Sequence, residues 1–319
     1  MKQFTLFITG GAGFIGSNLV KYFLNHERIK LVRVIDNLSN GYIKNIEDFI
    51  ENKKFEFIEG DIRDFEICNK VTKGIDLISH QAALGSVPRS IEDPINTASV
   101  NIIGTINILN ASIKNNIQRV VLAFSSSSYG DNLSLPKIEE NIGNPLSPYA
   151  VSKYSIEQFS DVFNKIYGLN YIGFRYFNVF GQNQYSDNPY AAVLPIFVNG
   201  FLNNKKIKIN GDGKTTRDFT YVSNVVHANE LALFTKRKES LNQTYNIACN
   251  KSISLNDIII ELNKIFKKNI TIEYGDERKG DVKYSLASIS KAEKLLGYKP
   301  RVYFKEGLRK YINWKKNNL

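Results

Sequence analysis

Thr9-Gly-Gly-Ala-Gly-Phe-Ile-Gly16 follows the apolar run Phe4 to Thr9 and leads into the amphipathic stretch Ile15 to Asn25. A buried strand, a glycine turn and a helix in that order make a phosphate-binding loop. Gly10 permits the tight turn, Gly13 lets backbone approach a pyrophosphate, and Gly16 lets helix and strand pack closely. The spacing is G-x-x-G-x-x-G, a variant of the G-x-G-x-x-G dinucleotide fingerprint. Asp36 ends the next strand-like run, Leu31 to Asp36, about twenty residues beyond Gly16, where a carboxylate accepts bonds from ribose hydroxyls. A carboxylate there also repels a 2′-phosphate, which favours NAD over NADP. Strand alternation puts Arg33 on the face opposite Val34 and Asp36.

Outward from this loop, strand-like runs alternate with helical ones. The strands are expected at Phe55 to Glu59, Asp76 to His80, Val120 to Phe124 and Tyr171 to Tyr176. Between them lie amphipathic stretches Thr97 to Lys114 and Tyr149 to Ile166, the latter with Ile156, Phe159, Phe163 and Ile166 at three-to-four spacing. That order predicts an α/β fold, a Rossmann doubly wound parallel sheet, over residues 1–176 with a return at about 221–249. Residues 177–220 and 250–319 read as a smaller α/β substrate lobe, with turns at Asn210 to Gly213, a strand near Phe219 to Val222 and helices near Asp257 to Phe266 and Ser290 to Leu296. Ligands of open α/β sheets bind beyond the carboxyl ends of the strands. Asn37, Ser39, Asp61, Ile62 and the Gln81-Ala82-Ala83 turn each sit just after a strand, as cofactor contacts should.

The composition is that of an ordinary globular protein: 319 residues, 43% of them hydrophobic. The net charge of +11 comes from scattered Lys and Arg with no dense basic block before the C-terminal tail, which suits an anionic small molecule better than nucleic acid. Cys68 and Cys249 are too few and too far apart for a disulfide framework, and His26, His80 and His227 lack metal-ligand spacing. A cytoplasmic protein without bound metal is expected. The first strand begins too early to leave room for a signal peptide, and no apolar run is long enough to span a membrane.

Tyr149 and Lys153 stand one turn apart at the start of an amphipathic helix, and hydroxyls run from Ser125 to Ser128 after the preceding strand. Oxidation of an alcohol needs a base for the hydroxyl proton, a cation to support that base and a polar partner for the oxygen. All three residue types are present. The same Tyr-to-Lys spacing recurs at Tyr311 and Lys315, in a basic C-terminal helix that follows no strand, and reads there as a solvated face.

Thr9 to Gly16, the Asp61 turn, His80 to Ala83, Asn101 to Leu109, Ser125 to Gly130 and Tyr149 to Lys153 together resemble the extended short-chain dehydrogenase/reductase family. Within it the chain is similar to NAD-dependent nucleotide-sugar C4-epimerases, most of all to the UDP-N-acetylglucosamine 4-epimerases of bacterial polysaccharide synthesis. The likeness runs essentially from end to end. Its most specific stretches are Gln81-Ala-Ala-Leu-Gly-Ser-Val-Pro-Arg-Ser90, Glu139-Glu-Asn-Ile-Gly-Asn-Pro-Leu-Ser-Pro-Tyr149, Arg175-Tyr-Phe-Asn-Val-Phe-Gly181, and Asn210-Gly-Asp-Gly213 with Arg217-Asp-Phe219.

The resemblance implies that Tyr149 is the acid/base, that Lys153 lowers its pKa and holds the nicotinamide ribose, and that Ser125 bonds the reacting oxygen. It adds cofactor contacts at Phe14, Ile15, Gly41, Asn101 and Tyr176. Substrate contacts are implied at Gly85, Ser86, Val87, Ser126, Ser127, Asn178, Ala192, Val193, Leu194, Asn210 and Asp281, with Arg217 and Arg278 as diphosphate clamps. Tyr149 would take the C4 proton as hydride passes to NAD; the 4-keto sugar would turn, and hydride would return to its other face. Ser285 falls at the hexose-pocket gate, where a small side chain leaves room for a 2-acetamido group, although Tyr284 is one residue away. A UDP-glucuronate 4-epimerase is the nearer rival. A 4,6-dehydratase is disfavoured by Ser126 and Ser127 where it needs two carboxyl side chains, and a decarboxylase is less favoured. A non-catalytic NAD-sensing or nucleic-acid-binding module has no use for the Ser125, Tyr149 and Lys153 set. The resemblance also implies a homodimer that pairs the Thr97 to Lys114 and Tyr149 to Ile166 helices in a four-helix bundle.

Overall fold

The computed structural model describes residues 2–186, 190–276 and 283–318. The chain begins β1 (Phe4–Thr9), α1 (Phe14–Leu24), β2 (Ile29–Asp36), β3 (Phe55–Glu59), α2 (Phe65–Val71) and β4 (Leu77–His80). Three helical pieces follow: α3 (Val87–Glu92), α4 (Pro94–Ala98) and, after a π-turn at Ser99–Ile103, α5 (Gly104–Lys114). Then come β5 (Arg119–Ser125), α6 (Pro148–Tyr167) and β6 (Tyr171–Tyr176). The second half runs β7 (Val179–Phe180), α7 (Val193–Leu202), β8 (Ile207–Asn210), β9 (Thr216–Arg217), β10 (Thr220–Tyr221) and α8 (Val222–Phe234). It ends with β11 (Gln243–Ile247), β12 (Ile253–Ser254), α9 (Leu255–Phe266), β13 (Ile272–Gly275), α10 (Ser290–Leu296) and α11 (Phe304–Asn317).

Seven strands form one sheet in the order β11-β6-β5-β4-β1-β2-β3, and every pairing in it is parallel. The strand order reverses at β1, which lies between β2 and β4, so the crevice for a ligand opens at its carboxyl end. β1 is buried along its whole length. Leu6 and Ile8 face one hydrophobic layer, with Leu19 of α1 and Val225 of α8, while Phe7 faces the other, with Cys68 of α2 and Ile108 of α5. This is why the strand reads as a continuous apolar run.

A separate core holds the lobe together: Phe197 and Phe201 of α7, Ile207 and Ile209 of β8, Ile258 and Leu262 of α9, and Leu308 and Ile312 of α11. α10 packs elsewhere. Ala292, Leu296 and Tyr298 join the core of the seven-stranded sheet, so the chain revisits the first domain near its end.

One expectation gains detail here and one is corrected. Thr97 to Lys114 is helical throughout, with a π-turn at Ser99–Ile103 beside which the Thr105 hydroxyl donates to the Asn101 carbonyl at 2.6 Å, while the Asn101 amide both donates to and accepts from Leu84. Tyr311 and Lys315 are not a solvated face. Tyr311 is fully buried, stacks on Trp314 and donates to the Gln184 carbonyl at 2.8 Å, and Lys315 is buried beside it. The Lys315 ammonium lies over the Tyr185 and Trp314 rings, 5.3 and 5.8 Å from their centroids. No helix among the described residues is long and apolar enough to cross a membrane.

Candidate active site

α6 starts where its sequence dictates. Ser147 caps it by accepting from Ala150 N, Pro148 occupies the first turn, and Gly168 ends it in the left-handed conformation. Tyr149, Lys153 and Glu157 then fall on one face at four-residue spacing. Lys153 is buried and donates to the Ala123 carbonyl of β5 at 2.8 Å. Ser125, the last residue of β5, accepts from Ser127 N at 3.1 Å and bonds the Tyr149 phenol, which brings strand end and helix start together.

The lowered phenol that the resemblance implies includes the charge of a nicotinamide ring; the protein's own groups act as follows. Burial raises the Tyr149 pKa above its ordinary value, and the Ser125 hydroxyl offsets this only in part. Burial likewise pushes the Lys153 ammonium down to about 8, against the pull of the Glu157 carboxylate. Desolvation disfavours both charged forms.

A cavity of about 650 Å³ runs from the glycine loop past Ser125, Tyr149 and Lys153 to the Tyr190 to Ala192 segment of the lobe. Gly10 has φ +68°, and a Cβ there would lie 2.8 Å from the Ala82 backbone. A Cβ on Gly16 would lie 2.0 Å from the Gly10 carbonyl, so helix and loop meet without room for a side chain. Asp36 accepts from Ala12 N at 3.0 Å and Leu38 N at 2.8 Å, and burial raises its pKa. Arg33 points away from this cavity to Glu56 and the Val71 and Lys73 carbonyls. The Gln81 Oε1 atom, on a residue that lines the cavity, is buried without a hydrogen-bond partner. A bare glycine cradle, a buried carboxylate and an orphaned acceptor fit a dinucleotide.

Behind the cradle, hydrogen-bond bookkeeping fixes the state of His80. Thr9 Oγ1 accepts from Gln81 N and Ala82 N, so its proton goes to His80 Nδ1 at 2.7 Å. His80 Nε2 then donates to Thr105 Oγ1 at 2.9 Å, and Thr105 passes its own proton to Asn101. The ring is neutral: burial, with the Lys153 charge adding to it, pushes its pKa down to about 3.

Every cofactor residue expected from the sequence lines the cavity except Asn101. Asn101 lies one layer back, where its amide is occupied by Leu84 and by Ser152 at 3.0 Å. Of the substrate set, Gly85, Ser86, Val87, Ser126, Ser127, Asn178 and Ala192 line it. Val193, Leu194, Asn210, Arg217 and Ser285 do not. Leu194 is 1% exposed in the lobe core and Val193 packs against that core. Asn210 is exposed at the end of β8, Arg217 pairs with Ile253 and donates to the Thr216 carbonyl, and Ser285 is half-buried outside the cavity wall. Arg278 and Asp281 lie outside the described residues. Sequence reasoning missed Asn40, Tyr42, Arg89, Tyr185 and Tyr190, all of which line the cavity. Arg89 stands two residues beyond Val87, after Pro88, and could have been reached by extending that run; the tyrosines sit in loops without periodicity. The Arg89 guanidinium stacks 4.8 Å over the Tyr190 ring and donates to Asn40 Oδ1 at 3.1 Å.

Residues 6–248 match the family described as "NAD dependent epimerase/dehydratase family". The fold superposes, with a TM-score of 0.93 and 36% identity over 100% of both chains, on a UDP-N-acetylglucosamine 4-epimerase from Methanobrevibacter ruminantium M1 in complex with UDP-N-acetylmuramic acid. A UDP-glucuronic acid 4-epimerase from Bacillus cereus, in complex with UDP-glucuronic acid and NAD, gives 0.92 at 32% identity over 99% of this chain and 100% of its own. The UDP-glucose 4-epimerase of Thermotoga maritima, with UDP-glucose, gives 0.90 at 33% identity over 98% of this chain and 99% of its own. NAD is the cofactor the glycine cradle serves. With its parallel seven-stranded sheet and its Ser125, Tyr149 and Lys153 cluster, the chain belongs to the NAD-dependent epimerase/dehydratase family of extended short-chain dehydrogenases/reductases.

Proposed function

We propose that this nucleotide-sugar 4-epimerase inverts C4 of UDP-N-acetylhexosamines, interconverting the gluco and galacto forms. The observation that carries the reading is the wall of the cavity beyond Tyr149. Gly85, Ser86, Ser126, Ser127, Ala191 and Ala192 are small or hydroxylated, which leaves volume and hydrogen-bonding capacity for an acetamido group. The similarity to the Methanobrevibacter enzyme over both whole chains supports the same choice.

When bound, NAD supplies the acceptor and donor of hydride; the chain supplies the proton chemistry. Tyr149 exchanges a proton with the C4 oxygen, Ser125 donates to that oxygen, and Lys153 supports the phenol with its charge. A second reading, UDP-glucuronate as substrate, has one observation in its favour: Arg89, a guanidinium on the cavity wall that could take a carboxylate. Its present commitment to Tyr190 and Asn40 ranks it second. Incubating the protein without added cofactor with UDP-N-acetylglucosamine, UDP-glucose and UDP-glucuronate, and resolving the C4 epimers by NMR, separates the readings. Turnover of UDP-glucuronate alone would refute the first.

Two copies pair, in the same proposal, through α4, α5 and α6. Ile95 of α4, Ile103 of the π-turn and Val162 and Ile166 of α6 are 82%, 50%, 45% and 66% exposed on elements that pack against one another, and a second copy would bury them. Light scattering should give a dimer for the wild type and a monomer for Val162→Arg. A wild-type monomer would remove this part of the proposal.

A further inference from the structure

We propose that Tyr185 is a cofactor-holding residue: a strap at residues 182–185 carries its ring from the substrate lobe to the glycine loop, where it closes the way out for NAD. The proposal rests on NAD as the cofactor and not on which sugar is epimerised.

The strap follows β7, whose Phe180 is buried in the lobe core, yet its polar side-chain contacts run to the other domain. Asn18 Nδ2 of α1 donates to the Gln182 carbonyl at 3.0 Å, and Asn183 Nδ2 donates to Ser17 Oγ at 2.8 Å. Asn183 has φ +64°, a left-handed conformation that asparagine tolerates and that turns the chain between these anchors and Tyr185. The Tyr185 hydroxyl donates to Asn45 Oδ1 at 2.9 Å, and Asn45 Nδ2 donates in turn to the Ala12 carbonyl at 2.8 Å. Ala12 stands inside the glycine loop, so a single side chain separates Tyr185 from the cradle.

The ring is held as well as the hydroxyl. It meets Tyr42 edge-on with 5.0 Å between centroids and Trp314 of α11 with 5.5 Å, and the Lys44 ammonium lies 3.9 Å over it. Tyr311 donates to the Gln184 carbonyl at 2.8 Å and stacks on Trp314, so α11 braces the strap from the lobe. Tyr42, Asn183, Gln184 and Tyr185 all line the cavity, whereas Tyr311 and Trp314 do not. Joining two domains calls only for apolar contact; here hydrogen bonds and aromatic edges converge on residues of the cradle's own cavity. A 4-epimerase lends hydride to NAD and takes it back, so the cofactor ends each cycle unchanged and needs no open path. A strap that must give up a hydrogen bond and an aromatic cluster before NAD departs suits that chemistry.

The test follows the cofactor and not turnover. Protein loaded with NAD is chased with excess isotopically labelled NAD, desalted at intervals and denatured, and the bound label is read by mass spectrometry. Tyr185→Ala should exchange about tenfold faster than the wild type or more, since it loses the hydroxyl bond and both aromatic contacts. Tyr185→Phe keeps the ring contacts and should exchange more slowly than Tyr185→Ala. Trp314→Ala lies outside the cavity and removes the brace; it too should speed exchange, and it stands in if Tyr185→Ala does not fold. Leu262→Ala, which opens a hole in the lobe core on α9, should exchange at the wild-type rate. A wild-type rate in either folded alanine variant of the strap and its brace overturns the proposal, as does a phenylalanine variant as fast as alanine. Equally fast exchange in Leu262→Ala also overturns it, because general loosening of the lobe would then release NAD.

Discussion

Neutral His80 makes the fold acid-sensitive in a way that can be worked out. Its pKa is about 3 in the folded protein, against about 6.5 in an unfolded chain. Between those values the unfolded state binds a proton that the folded state refuses, so stability falls as pH drops through 6.5 and stops falling below about 3. From pH 7 to pH 5 the unfolded chain gains about 2 kcal/mol from this one ring, because the folded form stays unprotonated over that range. The assay is urea denaturation of the wild type and of His80→Gln at both pH values. The variant is expected to be weaker at pH 7, since it disturbs the bonds to Thr9 and Thr105. Its further loss on going to pH 5 should nevertheless be smaller than that of the wild type by about 2 kcal/mol. Asp218, whose pKa burial raises to about 6, and His227, pushed the other way, titrate in both proteins and cancel in the difference. Equal acid losses in the two proteins would refute the neutral, doubly bonded ring.

Three further outcomes are expected. Tyr149→Phe should lower kcat by about 10²- to 10⁴-fold while calorimetric binding of the UDP-sugar is kept, because only the proton carrier is removed. Gly10→Ala should abolish copurified NAD, read by absorbance after denaturation, and lower stability by roughly 1–3 kcal/mol, since φ +68° and the 2.8 Å approach of Ala82 both exclude a methyl group. Arg119→Met should cost about 1–3 kcal/mol in urea denaturation, because the guanidinium closes the carboxyl end of α8 through the Ala232, Leu233 and Thr235 carbonyls.

Several elements were legible because their signal is local. β1, β3 and β6 run over the very residues that the apolar runs mark out, and α10 spans Ser290–Leu296 as expected. The glycine loop, Asp36 and the Tyr149 to Lys153 face needed only spacing and strand ends to be read. What stayed hidden depends on contacts between distant segments. Nothing in the periodicity of Thr97 to Lys114 reveals that Asn101 binds Leu84 and opens a π-turn. The charge pattern of α11 suggested solvent, yet Trp314 and the ammonium of Lys315 close over Tyr185 from the lobe side. Tyr185 and Tyr190 reach the cavity from a loop whose sequence has no period to read.

The raised pKa of the Tyr149 phenol describes the site before a cofactor's charge is added. With burial raising the phenol and lowering Lys153 only to about 8, the pair at neutral pH is a neutral phenol beside a mostly protonated amine. That state is set to give a proton, which suits the return half of an epimerisation. The forward half needs the phenol to lose its proton, and each unit of pKa it must drop corresponds to about 1.4 kcal/mol of added positive potential. Lys153 can contribute only while it remains charged, and the cofactor's positive ring is the remaining source.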